Sequence, residues 1–160
     1  MTNNDILRRV RYALDLNNAA LFEIFRATGF DMKQAALTAL FKKEGDEGYV
    51  ECTGEILARF LDGLIQVKRG PQEGQEPVAY PPDLAVANND VLKKLRIALT
   101  LKEDDLLDIM KKAGFPVSKS ELSALFRARG QGNFKPCGDQ MLRNFLKGLT
   151  IRCREGETRG

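Results

Sequence analysis

The chain has 160 residues, with 25 Lys or Arg against 22 Asp or Glu, and it contains no histidine. The lack of histidine removes the commonest general base and the usual zinc ligand, and the three cysteines lack the paired spacing of a metal site. No glycine-rich phosphate loop or recognisable carboxylate pair is present. We therefore expect no enzymatic activity, no cofactor, no metal and no small-molecule substrate.

The N-terminus lacks the basic and apolar segments of a secretory signal. No apolar run approaches the roughly 20 residues that span a bilayer. These features favour a soluble, cytoplasmic protein that does not bind membranes.

The chain is an internal duplication. Residues 3 to 69 align without a gap with residues 88 to 154 at a constant offset of 85, and 24 of the 67 pairs are identical. Solenoid repeats have periods of roughly 20 to 50 residues, so this longer period indicates two copies of a domain. The predicted boundaries are a first domain at 1–69, a linker at 70–87, a second domain at 88–154 and a polar tail at 155–160. Because such small domains are marginally stable alone, we expect them to pack together around a pseudo-twofold axis.

Each copy shows four stretches with helical spacing of apolar residues and none with the alternation of a strand. The predicted class is therefore all-α, with two tandem homologous four-helix domains. The apolar series of the four helices begin, in the first and second copy respectively, at Ile6 and Val91, Leu21 and Leu106, Leu37 and Leu122, and Leu57 and Leu142.

Capping residues mark where the helices begin and end. Asn3 or Asn4 is expected to cap the first helix, and Gly29 to end the second, as does its counterpart in the other copy, Gly114. The third helix is predicted to begin at a capping box, which is Asp31-x-x-Gln34 in one copy and Ser118-x-x-Glu121 in the other. Those two boxes are displaced by two residues, which predicts different preceding turns.

Two further repeated residues belong to the fourth helix. Cys52 and Cys137 have the spacing of a capping residue, which we favour over a redox or catalytic role. Gly63 and Gly148 lie within the helix and predict a close helix contact. The predicted core contains Phe41, Phe60, Leu61, Leu64, Phe126, Phe145, Leu146 and Leu149.

Four prolines between the copies predict an extended linker. The apolar segment at its end, Leu84-Ala85-Val86, is expected to lie on a domain surface.

Two segments, Leu40-Phe41-Lys42-Lys43-Glu44-Gly45 and the stretch from Cys137 to Leu149, resemble the bacterial YehS-like family. That family is a domain of unknown function, typically present in two copies, so the resemblance implies the architecture and no activity. The first copy departs from the pattern, with Thr53-Gly54-Glu55 where the second has Gly138-Asp139-Gln140.

The stretch from Leu95 through Gly114 to Arg127 is similar to a repressor-type helix-turn-helix. In that fold the second helix ends near a glycine and the third lies in the DNA major groove. The resemblance implies that the third helix of the second copy binds nucleic acid.

Charge is distributed unequally between the copies. Residues 1 to 69 hold ten basic and ten acidic residues, whereas residues 88 to 160 hold fifteen basic and nine acidic residues, a surplus of six. Basic and hydroxyl side chains contact phosphates and base edges, and the flexible loop after the third helix is suited to backbone contacts. The candidate nucleic-acid-binding residues are Ser118, Lys119, Ser123, Arg127, Arg129, Lys135 and Arg143.

Two other interpretations stay open. The charged faces can be ordinary solvated surfaces, because a surplus of this size is common in soluble domains. The paired helical domains can also form a protein–protein interaction adaptor, in which a groove accepts an amphipathic helix of a partner. The sequence does not distinguish DNA from RNA.

Overall fold

The computed structural model describes the backbone of residues 1 to 71 and 78 to 158, and the side chains of those residues up to 155. This part of the chain contains eight helices and no strand, and it divides into two compact units. The all-α prediction with four helices per copy is confirmed. The helices are α1 (Asn3–Leu14), α2 (Asn18–Ala27), α3 (Gln34–Leu40), α4 (Gly54–Arg69), α5 (Asn88–Leu99), α6 (Glu103–Lys112), α7 (Lys119–Leu125) and α8 (Asp139–Thr158).

The N-terminal unit contains Met1–Arg11 and Asp15–Val86, and the C-terminal unit contains Tyr12–Leu14 and Ala87–Gly160. Every helix begins at the same repeat position in both units, 85 residues apart. The last helix continues to Thr158, beyond the end predicted at residue 154. The centre of the predicted linker, 72–77, and the last two residues of the predicted tail lie outside the described residues.

The predicted displacement of the third-helix caps is wrong. The hydroxyl of Ser118 accepts a hydrogen bond from the Glu121 amide (3.1 Å), as a capping residue does. At the equivalent position of α3 stands Lys33, whose side chain makes no capping hydrogen bond. Asp31 instead forms an ion pair with Lys33 (3.0 Å). Both helices therefore begin at one repeat position, and only the C-terminal unit has a side-chain cap there.

The predicted asparagine cap of the first helix is also wrong. The hydroxyl of Thr2 accepts from the Asp5 amide (3.1 Å), and the Asp5 carboxylate accepts from the Thr2 amide (3.0 Å). This reciprocal pair satisfies two backbone donors that a helix start leaves unbonded. It releases the side chains of Asn3 and Asn4 for other contacts.

The predicted close contact at the fourth-helix glycines is confirmed. A Cβ atom on Gly63 would lie 2.0 Å from the carbonyl oxygen of Ile24, and one on Gly148 would lie 1.9 Å from that of Ile109. No side chain fits at such distances, so glycine lets α4 cross α2, and α8 cross α6, with the backbones in contact. The glycine ends of the second helices are confirmed as well, since Gly29 and Gly114 have φ of 77° and 78°.

Six of the eight predicted core residues are buried, and the two exceptions are Phe41 and Phe126, which are half-buried. An arginine covers each ring. The Arg11 guanidinium carbon is 4.8 Å from the Phe41 ring centre, and that of Arg96 is 4.7 Å from the Phe126 ring centre. The rings therefore lie at the edge of the core, where a cation–π contact replaces apolar cover.

The described end of the linker lies against α4. The Tyr80 hydroxyl donates to the Asp62 carboxylate (2.7 Å). The carbonyl oxygen of Leu84 would be 1.7 Å from a Cβ atom on Gly54, so the linker backbone fits only because residue 54 has no side chain. The predicted placement of this apolar segment on a domain surface agrees with that contact.

Candidate nucleic-acid interface

Helix α7 exposes the first of the candidate residues. Lys119 and Ser123 are exposed and four residues apart, so they lie on one face of the helix. The hydroxyl of Ser118 caps the helix and lies 3.2 Å from a Glu121 carboxylate oxygen. Ser118 therefore fixes the start of α7, while Lys119 and Ser123 face solvent.

The basic loop, defined as residues 126 to 136, follows α7 and carries Arg127, Arg129 and Lys135, all exposed. The Lys135 amide donates to the carbonyl of Ala124 (3.0 Å), so the loop returns to the helix it left. A turn in the middle is closed by a bond from the Phe134 amide to the Gln131 carbonyl (3.2 Å). The three cations therefore belong to one closed loop that returns to the C-terminal end of α7.

Asn89 ties together the two ends of the basic loop. Its side-chain nitrogen donates to the carbonyl of Leu125 (2.9 Å) and to that of Lys135 (3.0 Å), and its oxygen accepts from the Cys137 amide (2.8 Å). One amide thus uses both its donor and its acceptor atoms to hold the loop base on α5. Sequence reasoning missed this role. The available signal was an amide repeated in both copies inside a helix otherwise patterned by apolar residues.

The N-terminal unit has the equivalent set of asparagine hydrogen bonds, and we call this set the asparagine clamp in both units. The side chain of Asn4, which is 1% exposed, donates to the carbonyls of Leu40 (3.1 Å) and Val50 (2.9 Å) and accepts from the Cys52 amide (2.8 Å). The clamp is therefore a feature of the repeat, and the basic character of the loop is particular to the second copy.

The prediction that the repeated cysteines cap the fourth helix is wrong. The cap of α4 is Thr53, whose hydroxyl accepts from the Ile56 amide (3.1 Å). Cys52 precedes it and is buried, as is Cys137. Burial raises the pKa of the Cys52 thiol to about 12 and that of Cys137 to about 11. Both thiols are therefore protonated at neutral pH and form part of the packing beside the asparagine clamp.

Four of the candidate cations, those of α7 and the basic loop, have no ion-pair partner among the described side chains. Among the described side chains, those of residues 1–71 and 78–155, none forms a salt bridge with Lys119, Arg127, Arg129 or Lys135. Arg143 is half-buried near the start of α8, and its guanidinium donates to the side chain of Gln140 (3.3 Å). The candidate set therefore comprises an exposed group on α7 and the basic loop, with Arg143 apart from it on another helix.

The equivalent loop of the N-terminal unit, residues 41 to 51, uses one of its two basic side chains internally. Lys42, at the position of Arg127, donates to the carbonyl of Glu47 (2.8 Å). Glu44 stands at the position of Arg129, and Asp46 accepts from the Lys43 amide (3.1 Å). This loop consequently offers a nucleic acid more negative than positive charge.

The described residues lack two further features, a metal-holding cluster and a membrane-spanning helix. No group of three His, Cys, Asp or Glu side chains there is arranged to hold a metal ion. None of the described helices has the length and apolar character needed to cross a membrane.

A family model described as a protein of unknown function (DUF1456) matches residues 3–70 and again residues 88–155. The chain belongs to this family. It is also 44% identical over 152 residues to the uncharacterized protein YehS of Escherichia coli (strain K12). The aligned residues cover 95% of this chain and 96% of YehS. No solved structure matches. Membership in DUF1456 confirms the YehS-like resemblance and its two tandem copies.

Proposed function

We propose that the C-terminal unit binds nucleic acid through α7 and the basic loop, and that this DUF1456 protein acts as a regulator in the bacterial cytoplasm without catalysing a reaction. The observation that carries the proposal is the group of four exposed cations, Lys119, Arg127, Arg129 and Lys135, on a loop and helix held by Asn89. A loop already held at both ends loses less conformational entropy on binding than a free one.

The four cations would contact phosphates, which supply most of the affinity. The exposed face of α7 would add contacts to base edges through Ser123 and Lys119. Here α6 and α7 take the place of a helix-turn-helix pair, but the six residues from 113 to 118 that join them exceed the usual three to four. We therefore expect the basic loop to share the contacts that α7 makes.

The N-terminal unit would contribute little, because its equivalent loop carries carboxylates among its basic residues. The first copy, residues 1 to 69, has ten basic and ten acidic residues, and this net charge of zero gives no long-range attraction to a polyanion. Both DNA and RNA offer the phosphate chemistry that the C-terminal unit would bind.

Fluorescence anisotropy with labelled duplex DNA and labelled RNA, over a range of salt concentrations, tests the proposal. We expect affinity to fall steeply with salt, with a log–log slope of roughly −0.9 per phosphate contact on duplex DNA. The double variant Arg127→Ala with Arg129→Ala should make the slope shallower by about two contacts. The ratio of affinities for DNA and RNA identifies the target.

The matched control is Lys42→Ala with Glu44→Ala at the equivalent positions, which should leave both affinity and slope unchanged. Absence of binding at low salt, or an unchanged slope in the arginine double variant, would reject the proposal and favour the adaptor interpretation.

A further inference from the structure

Helix α5 carries two basic side chains, Lys93 and Arg96, on the face that holds the basic loop. Asn89 on this face binds both ends of the loop, through the carbonyls of Leu125 (2.9 Å) and Lys135 (3.0 Å). Lys93 and Arg96 stand one and two helical turns further along, and residues at this spacing lie on one side of a helix. The basic loop therefore borders a second row of cations, which belongs to α5.

The half-buried side chain of Arg96 is held against the first residue of the basic loop. Its guanidinium carbon lies 4.7 Å from the centre of the Phe126 ring, and its Nε donates to the carbonyl of Leu101 (3.1 Å). The two terminal nitrogens form no hydrogen bond or ion pair with the part of the chain that the structure describes. A guanidinium fork whose orientation is already fixed by a ring and a carbonyl is suited to bidentate binding of a phosphate.

The equivalent arginine of the N-terminal unit has one further contact. Arg11 lies over the Phe41 ring in the same way, at 4.8 Å, but its terminal nitrogen also donates to the side chain of Asn18 (3.0 Å). Glu103 stands at the position of Asn18 in the C-terminal unit, is exposed, and forms no ion pair with Arg96. The stacked arginine is thus a feature of the repeat, whereas its available terminal nitrogens are particular to the second copy.

The lysine of α5 differs from its counterpart in the same way. Arg8, at the position of Lys93, forms an ion pair with Asp5. Lys93 is exposed and forms no hydrogen bond or ion pair with the described residues. Asp90, the counterpart of Asp5, accepts instead from the Ala87 amide (3.3 Å) at the start of α5. Both cations of α5 therefore keep donors available for a ligand.

We propose that Lys93 and Arg96 bind phosphate groups of the same nucleic acid that the basic loop binds. This assignment rests on the function proposed above and extends its site from α7 and the basic loop to α5. The Arg96 fork binds one phosphate through two N–H donors, and the Lys93 ammonium contacts a neighbouring phosphate as a point charge. Nucleic acid thus lies across the loop, with phosphate contacts on the helices at both of its borders.

Fluorescence anisotropy of the full chain with labelled duplex DNA and labelled RNA, over a range of salt concentrations, measures the contribution of α5. The double variant Lys93→Gln with Arg96→Gln should make the log–log slope shallower by roughly 1.8, which corresponds to the loss of two phosphate contacts on duplex DNA. Adding Arg127→Ala and Arg129→Ala should remove about two further contacts, because all four cations act on one ligand.

The matched control is Arg8→Gln with Arg11→Gln, which removes the same two charges from α1. It should leave affinity and slope unchanged. The thermal midpoint should fall by a similar amount in the α1 and α5 variants, because each ring loses the arginine that covers it. A purely structural role of Arg96 would therefore give the two variants the same nucleic-acid affinity.

The conservative variant Arg96→Lys separates charge from geometry. It should keep the salt slope of the wild type, because the charge is retained, and should weaken binding several-fold, because an ammonium cannot form the planar fork. Wild-type affinity in this variant would overturn the bidentate contact.

The outcomes distinguish this assignment from the proposed function. Absence of binding by the wild type at low salt would reject both together. Binding that depends on Arg127 and Arg129 but not on Lys93 and Arg96 would overturn the α5 site alone, as would equal weakening by the α1 and α5 variants. If Arg96→Gln fails to fold, Lys93→Gln by itself should make the slope shallower by about one contact, and an unchanged slope would reject the site.

Discussion

The surface between the second and fourth helices differs between the two units, although the backbone frame beneath it is the same. In the C-terminal unit the guanidinium of Arg152 binds Asp105 (2.5 Å) and Asp108 (2.8 Å), and Lys112 binds Glu155 (2.9 Å). The N-terminal unit has Val67, Ala20, Glu23, Ala27 and Gly70 at those positions, so it cannot form the same network. One helix frame is thus completed by ion pairs in one copy and, apart from Glu23, by small or apolar residues in the other.

The cores of the two units also differ, in their aromatic packing. In the N-terminal unit the Phe25 ring lies 5.9 Å from that of Phe60 and 6.0 Å from that of Phe30. Met110 replaces Phe25 in the C-terminal unit and borders a small apolar cavity together with Phe145. The glycine, leucines and asparagine that recur in both copies therefore preserve the shared helix arrangement, while aromatic packing is stronger in the first copy.

The largest effect that we predict is the low reactivity of the two buried thiols. An ordinary protein thiol has a pKa near 9.0. With pKa values of about 12 and about 11, Cys52 and Cys137 should have thiolate fractions about a thousand-fold and about a hundred-fold below normal. In a Cys153→Ser variant, reaction with a thiol reagent at pH 8 should be slow for both, and slower for Cys52. Fast reaction of Cys52 in the native chain would contradict its burial.

The same raised pKa values predict a loss of stability at alkaline pH. A raised folded-state pKa means that the folded chain holds its proton where the unfolded chain has released it. The contribution is therefore complete below pH 9.0 and is lost as the pH rises towards 11 and 12. Denaturant unfolding of the wild type and of the single variants Cys52→Ala and Cys137→Ala, at neutral and alkaline pH, measures it.

Core truncation should come next in size. Phe145→Ala should cost about 3 to 5 kcal/mol of unfolding free energy, and Phe60→Ala should cost more because Phe60 also loses its contact with Phe25. Denaturant unfolding of the two variants tests the comparison. An equal cost would show that the aromatic cluster adds nothing to the N-terminal core, and an unchanged thermal midpoint for Phe145→Ala would contradict its burial.

Removal of the asparagine clamp should have a smaller effect that again differs between the units. Asn4→Ala leaves two carbonyls and one amide without their partner in a buried site, which should cost about 1 to 3 kcal/mol. Asn89→Ala should cost less, because Asn89 is half-buried and water can replace its bonds. Hydrogen exchange should quicken at Lys135 in that variant, and equal costs would contradict the difference in burial.

The ion-pair network should contribute least. Arg152→Ala should destabilise the C-terminal unit by at most about 1 kcal/mol, because the paired side chains are about one-third exposed. The cost should shrink at high salt, where such pairs are screened. Val67→Ala at the equivalent position is the control and should show no salt dependence. A cost that is insensitive to salt would assign the role of Arg152 to packing.

The sequence predicted the features that depend on residue spacing within one helix or on a glycine where two helices cross. The spacing of apolar residues predicted the eight helices of the described residues, and Gly63 and Gly148 predicted the two close crossings. Caps were harder, because Asp31 and Cys52 have the correct spacing but stand too early in the chain. The backbone conformation at the helix start determines which residue is the cap, and the spacing of residue types in the sequence does not indicate that conformation.

The candidate site also has one part that the sequence predicted and one part that it did not. The exposed cations of α7 and the basic loop could be named from charge alone, but their attachment to Asn89 could not, because its hydrogen bonds join residues 36 and 46 positions apart. The exposed Phe115 likewise has the same identity as Phe30, and only the residues beside each ring in the folded unit separate them.

The sequence by itself determined the duplication, the helical class and the charge difference between the copies, because these depend on residue order and composition. The tertiary structure alone decided which polar side chains are used inside the fold and which remain at its surface. Asn4 and Ser118 are polar in the sequence yet serve the backbone, while Phe115 is apolar yet faces solvent. Burial and hydrogen-bond partners arise from contacts between distant segments, and no pattern within one segment contains them.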